Sequence, residues 1–143
     1  ANLINLISTE LNKYQIPFSF KCLNQPGLFI RNDAAVLYIT KQFYHITKEV
    51  LLNAFSKAAF SFNDNVPLFT KKLLQGVSIA EEPGNGDSFG TSRCGMLAQA
   101  IVTAHNGGAI LPEQMLESIQ KHFLQKGINL YTAYLNNGSV DNY

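Results

Sequence analysis

Proline and glycine cut this chain into short pieces, and that punctuation narrows its folds more than any other feature. Pro17, the pair Pro26-Gly27, Pro67, the run Pro83-Gly84-Asn85-Gly86, the pair Gly107-Gly108, Pro112 and Gly127 all fall between apolar stretches. Proline fixes its own φ and biases the preceding residue away from helix, and glycine supplies turn conformations that other residues avoid. No apolar stretch between these breakers approaches the ~20 residues that cross a bilayer, so no membrane partner is expected. A chain of 143 residues still buries enough surface for a core without metal or disulfide support. One domain over residues 1–143 is expected.

The pieces differ in period. Leu3, Ile4, Ile7, Leu11 and Tyr14 recur at helical spacing, and Ile16-Pro17 closes that helix. Phe18, Phe20 and Cys22 alternate with Ser19 and Lys21 as in a half-buried strand. Strands are also predicted at residues 28–31 and 35–39. The face Phe43, Ile46, Val50, Leu51, Ala54, Phe55 and Ala58 predicts a long helix from Phe43 to about Phe60. A short strand is predicted at residues 77–80. A helix then begins within residues 81–94, runs through Met96, Leu97, Ile101 and Val102, and stops at Asn106-Gly107-Gly108. Pro112 with Glu113 opens a further helix to Lys126-Gly127, and a last strand is predicted over residues 128–135. Strands and helices follow no βαβ rhythm. The fold class is therefore α+β, a small mixed or antiparallel sheet packed with about four helices.

Charge and cysteine usage exclude several functions. Hydrophobic residues are 46% and charged residues only 15%, a globular composition. Eleven basic against ten acidic residues leave a net charge of +1, which gives no reason to expect a nucleic-acid partner. Cys22 and Cys94 are the only cysteines; Cys94 is expected as a buried free thiol on an apolar helix face. His45, His105 and His122 stand apart without metal-ligand spacing, so no metal or cofactor is expected. The start shows no secretory signal, and the producing cell's cytoplasm is the default location.

Chemistry could sit in residues 81–93. Gly84, Gly86 and Gly90 permit close backbone approach, Ser88, Thr91 and Ser92 supply hydroxyls, and Arg93 stands just inside a helix whose N-terminus suits anions. The plainer alternative pairs Arg93 with Glu81, Glu82 or Asp87 to fix the loop. Residues 86–90 also match G-x-S-x-G, with Ser88 as nucleophile and Glu113 or Glu117 with His122 as partners. In the bland reading, Asp87 or Ser88 caps the helix. Dinucleotide and P-loop patterns do not fit. Lys71-Lys72 becomes a candidate base only if burial or a neighbouring cation favours the neutral amine.

Five segments in order carry a family resemblance: Asp33-Ala34-Ala35-Val36-Leu37-Tyr38, Val66-Pro67-Leu68-Phe69-Thr70, Gly76-Val77-Ser78-Ile79-Ala80-Glu81-Glu82-Pro83, Asp87-Ser88-Phe89-Gly90-Thr91-Ser92-Arg93-Cys94, and Tyr134-Leu135-Asn136-Asn137-Gly138-Ser139. From about Arg31 onward the chain resembles the Hop effector A family of type III secretion effectors and their bacterial relatives. The resemblance implies an α+β fold and correspondence to the C-terminal part of longer members, with translocation if the protein is a true effector. It also implies a phosphopeptide or protein partner, because relatives include lyases that eliminate phosphate from phosphoserine or phosphothreonine. Carried over, Arg93 and the loop residues Gly86, Ser88, Gly90, Thr91 and Ser92 would hold phosphate. Arg31 would be a second cation and Lys71 or Lys72 the base. Ser92 departs from the family's frequent His at that place, which leaves a non-catalytic binding module as the alternative.

Overall fold

The computed structural model describes residues 2–58 and 62–143. The chain divides into two compact units, one of residues 1–64 with Tyr143 and one of residues 65–142.

In the first unit, helix α1 (Asn2–Lys13) leads to an antiparallel hairpin of β1 (Phe18–Cys22) and β2 (Ala35–Ile39), and helix α2 (Tyr44–Lys57) follows. Phe18 faces Ile39, Phe20 faces Leu37 and Cys22 faces Ala35 across the ladder. The apolar stripe of α1 buries Ile7 and Leu11, and Ile16 joins them under Phe18, Phe20, Leu37, Val50 and Phe55. The expected end of α2 at Phe60 lies outside the described residues. The strand predicted at residues 28–31 does not form: a short 3-10 turn covers Pro26–Leu28, and Ile30 is 83% exposed. Among the described residues no strand pairs with that apolar run.

The second unit carries a small hairpin of β3 (Lys71–Leu74) and β4 (Val77–Ile79), then helices α3 (Phe89–Asn106) and α4 (Pro112–Gln125). Gly76, at φ 66°, turns the hairpin in a conformation that a side chain would strain. Phe123, Ile128 and Ala133 form the core, with Phe69, Met96, Leu97, Ile119 and Leu130 against them. The strand predicted over residues 128–135 is instead a 3-10 turn, Leu130–Thr132, in an otherwise irregular segment. Four helices and two separate two-stranded antiparallel sheets make the described residues an α+β fold.

Three helices end in the same way. At residues 15, 108 and 127 the backbone turns left-handed, with φ of 54°, 82° and 73°. The next N–H then reaches back five residues: Ile16 to the Leu11 carbonyl, Ala109 to Ala104 and Ile128 to Phe123, each at 3.0 Å. This closes the orphan carbonyls of the last turn, and at two of the ends it drives the following isoleucine into the core. Glycine fills two of these places, but Gln15 fills the first.

Two of these ends generate opposite expectations, and the core behind one of them a third. Gln15→Gly should raise stability by about 0.5–1 kcal/mol by relieving the left-handed strain. Gly127→Ala should lower it, since the added methyl would also strike the Asn137 side chain. Phe123→Ala should cost about 3–5 kcal/mol. Denaturant midpoints of the three variants check all of this.

Candidate functional site

The N-terminus of α3 forms as a capped helix start. Ser88 is extended at φ −67°, ψ 155°, and its Oγ accepts from the Thr91 N–H at 3.2 Å. The Thr91 Oγ1 lies 2.9 Å from the same hydroxyl. Ser88 is thus the helix cap. His122, on α4, has a buried Nε2 without a hydrogen-bond partner, and among the described residues no hydrogen bond joins it to Ser88. Upstream, Gly84 and Gly86 are exposed at φ 75° and 89°, and Asn85 and Asp87 close a small turn between them.

Arg93 turns inward. It is only 3% exposed. Its Nε donates to the Ala133 carbonyl at 2.8 Å, and Nη2 donates to the Leu135 carbonyl and to Asn136 Oδ1, both at 3.0 Å. Nη1 reaches Ser92 Oγ at 3.2 Å, and the guanidinium carbon sits 5.2 Å from the Phe89 ring centroid. Burial pulls the guanidinium's pKa down, and the nearby Glu81 carboxylate opposes that shift. Four of its five N–H donors are engaged inside the protein.

The acceptors of Arg93 are themselves clamped from the other side. Glu81 N–H donates to the Tyr134 carbonyl at 2.8 Å, and the Asn136 N–H donates to Glu81 Oε2 at 2.7 Å. Asn136 Nδ2 donates to the Glu82 carbonyl at 2.8 Å. Residues 133–136 therefore lie between the strand end after β4 and the first turns of α3. The main-chain groups of this irregular segment, which no sheet could satisfy, are satisfied here. Sequence reading missed Asn136 and the main-chain acceptors. The signal available was the co-occurrence of Ala80-Glu81-Glu82-Pro83, Arg93-Cys94 and Tyr134-Leu135-Asn136.

Arginine's inward turn sets the rotation of α3. Arg93, Ala100 and Ala104 are buried with Met96 and Leu97 beside them, which leaves Cys94 exposed. The expected buried thiol is corrected on that ground: Cys94 is exposed, as are Ile101 and Val102 at 41% and 59%.

Arg31, Lys71 and Lys72 are the other predicted cations. Arg31 is exposed in the first unit and forks onto Asp33, with Nε and Nη2 at 2.8 and 2.7 Å from its two oxygens. Lys71 Nζ lies 2.9 Å from both oxygens of Asp141, and Tyr134 Oη donates to Asp141 Oδ2 at 2.7 Å. Lys71 Nζ is also 5.5 Å from the Tyr134 ring centroid. Lys72 is exposed on the opposite face of β3. Among the described residues no cluster of three or more His, Cys, Asp or Glu is arranged to hold a metal ion. No described helix is long and apolar enough to cross a membrane.

Two outcomes follow from this geometry. Arg93→Ala strands two main-chain carbonyls and the Asn136 side chain, and should cost on the order of 3 kcal/mol. Arg93→Lys should recover only part of that, because one ammonium cannot reproduce the planar fork; thermal unfolding measures both. The Asp141 hydrogen bond and burial push the Tyr134 phenol up to about 12 from 10.0. The unfolded chain thus loses this proton first, so stability should fall as pH rises from the ordinary tyrosine value through the folded one. Tyr134→Phe should flatten that alkaline slope in denaturation curves taken across it.

No curated protein matches the chain. The HopA1 effector protein family, however, matches over residues 1–135, so the likeness extends through the N-terminal helix and hairpin as well. The matched range includes Glu81, Arg93 and residues 134–135 of the cluster. The chain belongs to the HopA1 effector protein family.

Proposed function

We propose that this chain is a non-catalytic protein-binding module of its family, with the outward side of α3 as the recognition face. The observation that carries this is the inward commitment of Arg93. Phosphate elimination needs a cation open to the incoming oxyanion, and the arginine of this loop is buried on main-chain carbonyls. Lys71, one of the two lysines expected as base, donates to both oxygens of Asp141.

The rest of α3 supports binding. Apart from Arg93, its 18 residues include no Asp, Glu, Lys or Arg. Cys94, Ala98, Ile101, Val102 and His105 are all exposed. An uncharged exposed helix side of this length is unusual for a surface helix, which normally carries charge opposite its core face. Removing it from water would cost little polar desolvation.

Phosphate recognition and lyase chemistry form the second reading. It is favoured by the exposure of Gly84, Gly86, Ser88 and Thr91 around a helix N-terminus, where an anion meets the positive end of the helix dipole. Incubation with a phosphothreonine peptide separates the two. The peptide mass should stay unchanged under prolonged exposure to stoichiometric protein, and loss of phosphoric acid would establish the lyase. For the binding face, Val102→Glu should leave the unfolding midpoint within about 0.5 kcal/mol of the parent. It should also remove the neighbours that proximity labelling detects for the parent in the producing cells. Identical neighbour sets would retire this face.

A further inference from the structure

Asparagine followed by glycine is prone to cyclise, because glycine has no side chain to hold its amide nitrogen away from the preceding carboxamide. The chain contains three such pairs, Asn85-Gly86, Asn106-Gly107 and Asn137-Gly138. The fold treats them differently.

Asn106 is the last residue of α3, and the Gly107 N–H donates to the Thr103 carbonyl at 3.0 Å, so that nitrogen is engaged. The Asn137 carboxamide lies directly over the Cα of Gly127, which has no side chain to displace it. Turning toward Gly138 would mean leaving that seat. Asn85 has neither restraint. It is exposed, Gly86 is exposed at φ 89°, and Gly86 makes no hydrogen bond among the described residues.

The groups around Asn85 also favour attack on its carboxamide. Its Oδ1 accepts from the Asp87 N–H at 3.1 Å, and its Nδ2 donates to Asp87 Oδ2 at 3.1 Å. The ring closed by the first bond contains both the Asn85 Cγ and the Gly86 nitrogen. The same N–H points at the oxygen on which charge builds when that nitrogen attacks, as an oxyanion-hole donor does.

We propose that Asn85 is a self-modifying site that converts to aspartate and isoaspartate through a cyclic imide. The Gly86 nitrogen gives its proton to solvent and bonds to the Asn85 Cγ. The Cγ–Nδ2 bond breaks, and Nδ2 leaves as ammonia after taking a proton from water. A water molecule then adds across one of the two imide C–N bonds and opens the ring. Nothing is oxidised or reduced. The formal net charge of the chain goes from +1 to zero, since one carboxylate is gained. The loop ahead of α3 then carries carboxylates at positions 85 and 87, which suit the helix N-terminus and repel an incoming anion.

Ageing the full chain in mildly alkaline buffer tests this. Peptide mapping follows the gain of one mass unit at each pair, and isoaspartyl methyltransferase labelling detects the rearranged main chain. In the folded protein the Asn85 peptide should convert about tenfold faster than those of Asn106 and Asn137, and in concentrated urea the three rates should converge. Gly86→Ala should slow conversion at Asn85 alone. Equal rates in the folded chain, or a lead by Asn106 or Asn137, would overturn the proposal.

Discussion

A guanidinium without access to water must find its partners inside the protein, and the second unit of this chain is arranged around that requirement. Arg93 is buried, and the groups that meet it are main-chain carbonyls of residues 133 and 135 with the Asn136 side chain. Carbonyl dipoles can stabilise a buried cation without a carboxylate in direct contact, provided several converge and hold still. They hold still because Glu81 and Glu82 take the other side of the same segment. The arrangement ties residues 133–136 to two pieces of chain that are far from them in sequence. It also sets which side of α3 is core.

That interaction changes the meaning of the family motifs. Arg93 in a glycine-dense loop at a helix start resembles an anion clamp when only the sequence is read. Folded, the arginine belongs to a cluster joined by direction-specific hydrogen bonds, with Ser88 as the cap that starts its helix. A motif that looks chemical can thus be architectural. What it leaves outside is a long helix side without charge, which is where the proposed binding role rests.

Much of the architecture was legible because local physics dictated it. The helical spacing of Leu3, Ile7 and Leu11 gave α1, Pro112 opened α4, and the cap position of Ser88 lay among the alternatives read from the sequence. The misreadings share one cause. Residues 28–31 and 128–135 are apolar and strand-like in composition, but a strand needs a neighbour, and neighbours are a property of the whole fold. Residues 133–136 found their hydrogen bonds with an arginine and a glutamate instead. The rotation of α3 was hidden for a related reason: Cys94 was read onto an apolar helix face, and the carbonyls that turn Arg93 inward instead lie some forty residues further on.

The same clamp has a bearing on how the protein is made. All the acceptors for Arg93 except Ser92 Oγ lie at residues 133–136, and these follow in sequence every other element of their unit. While the nascent chain is being extended, α3 leaves the ribosome with an unmatched cation on the side that must become core. Helices α3 and α4 therefore cannot settle their final packing until the closing segment has emerged. Vectorial synthesis delivers the keystone of this unit late, whereas the cluster of Ile7, Leu11 and Ile16 in the first unit has all its packed neighbours by Phe55.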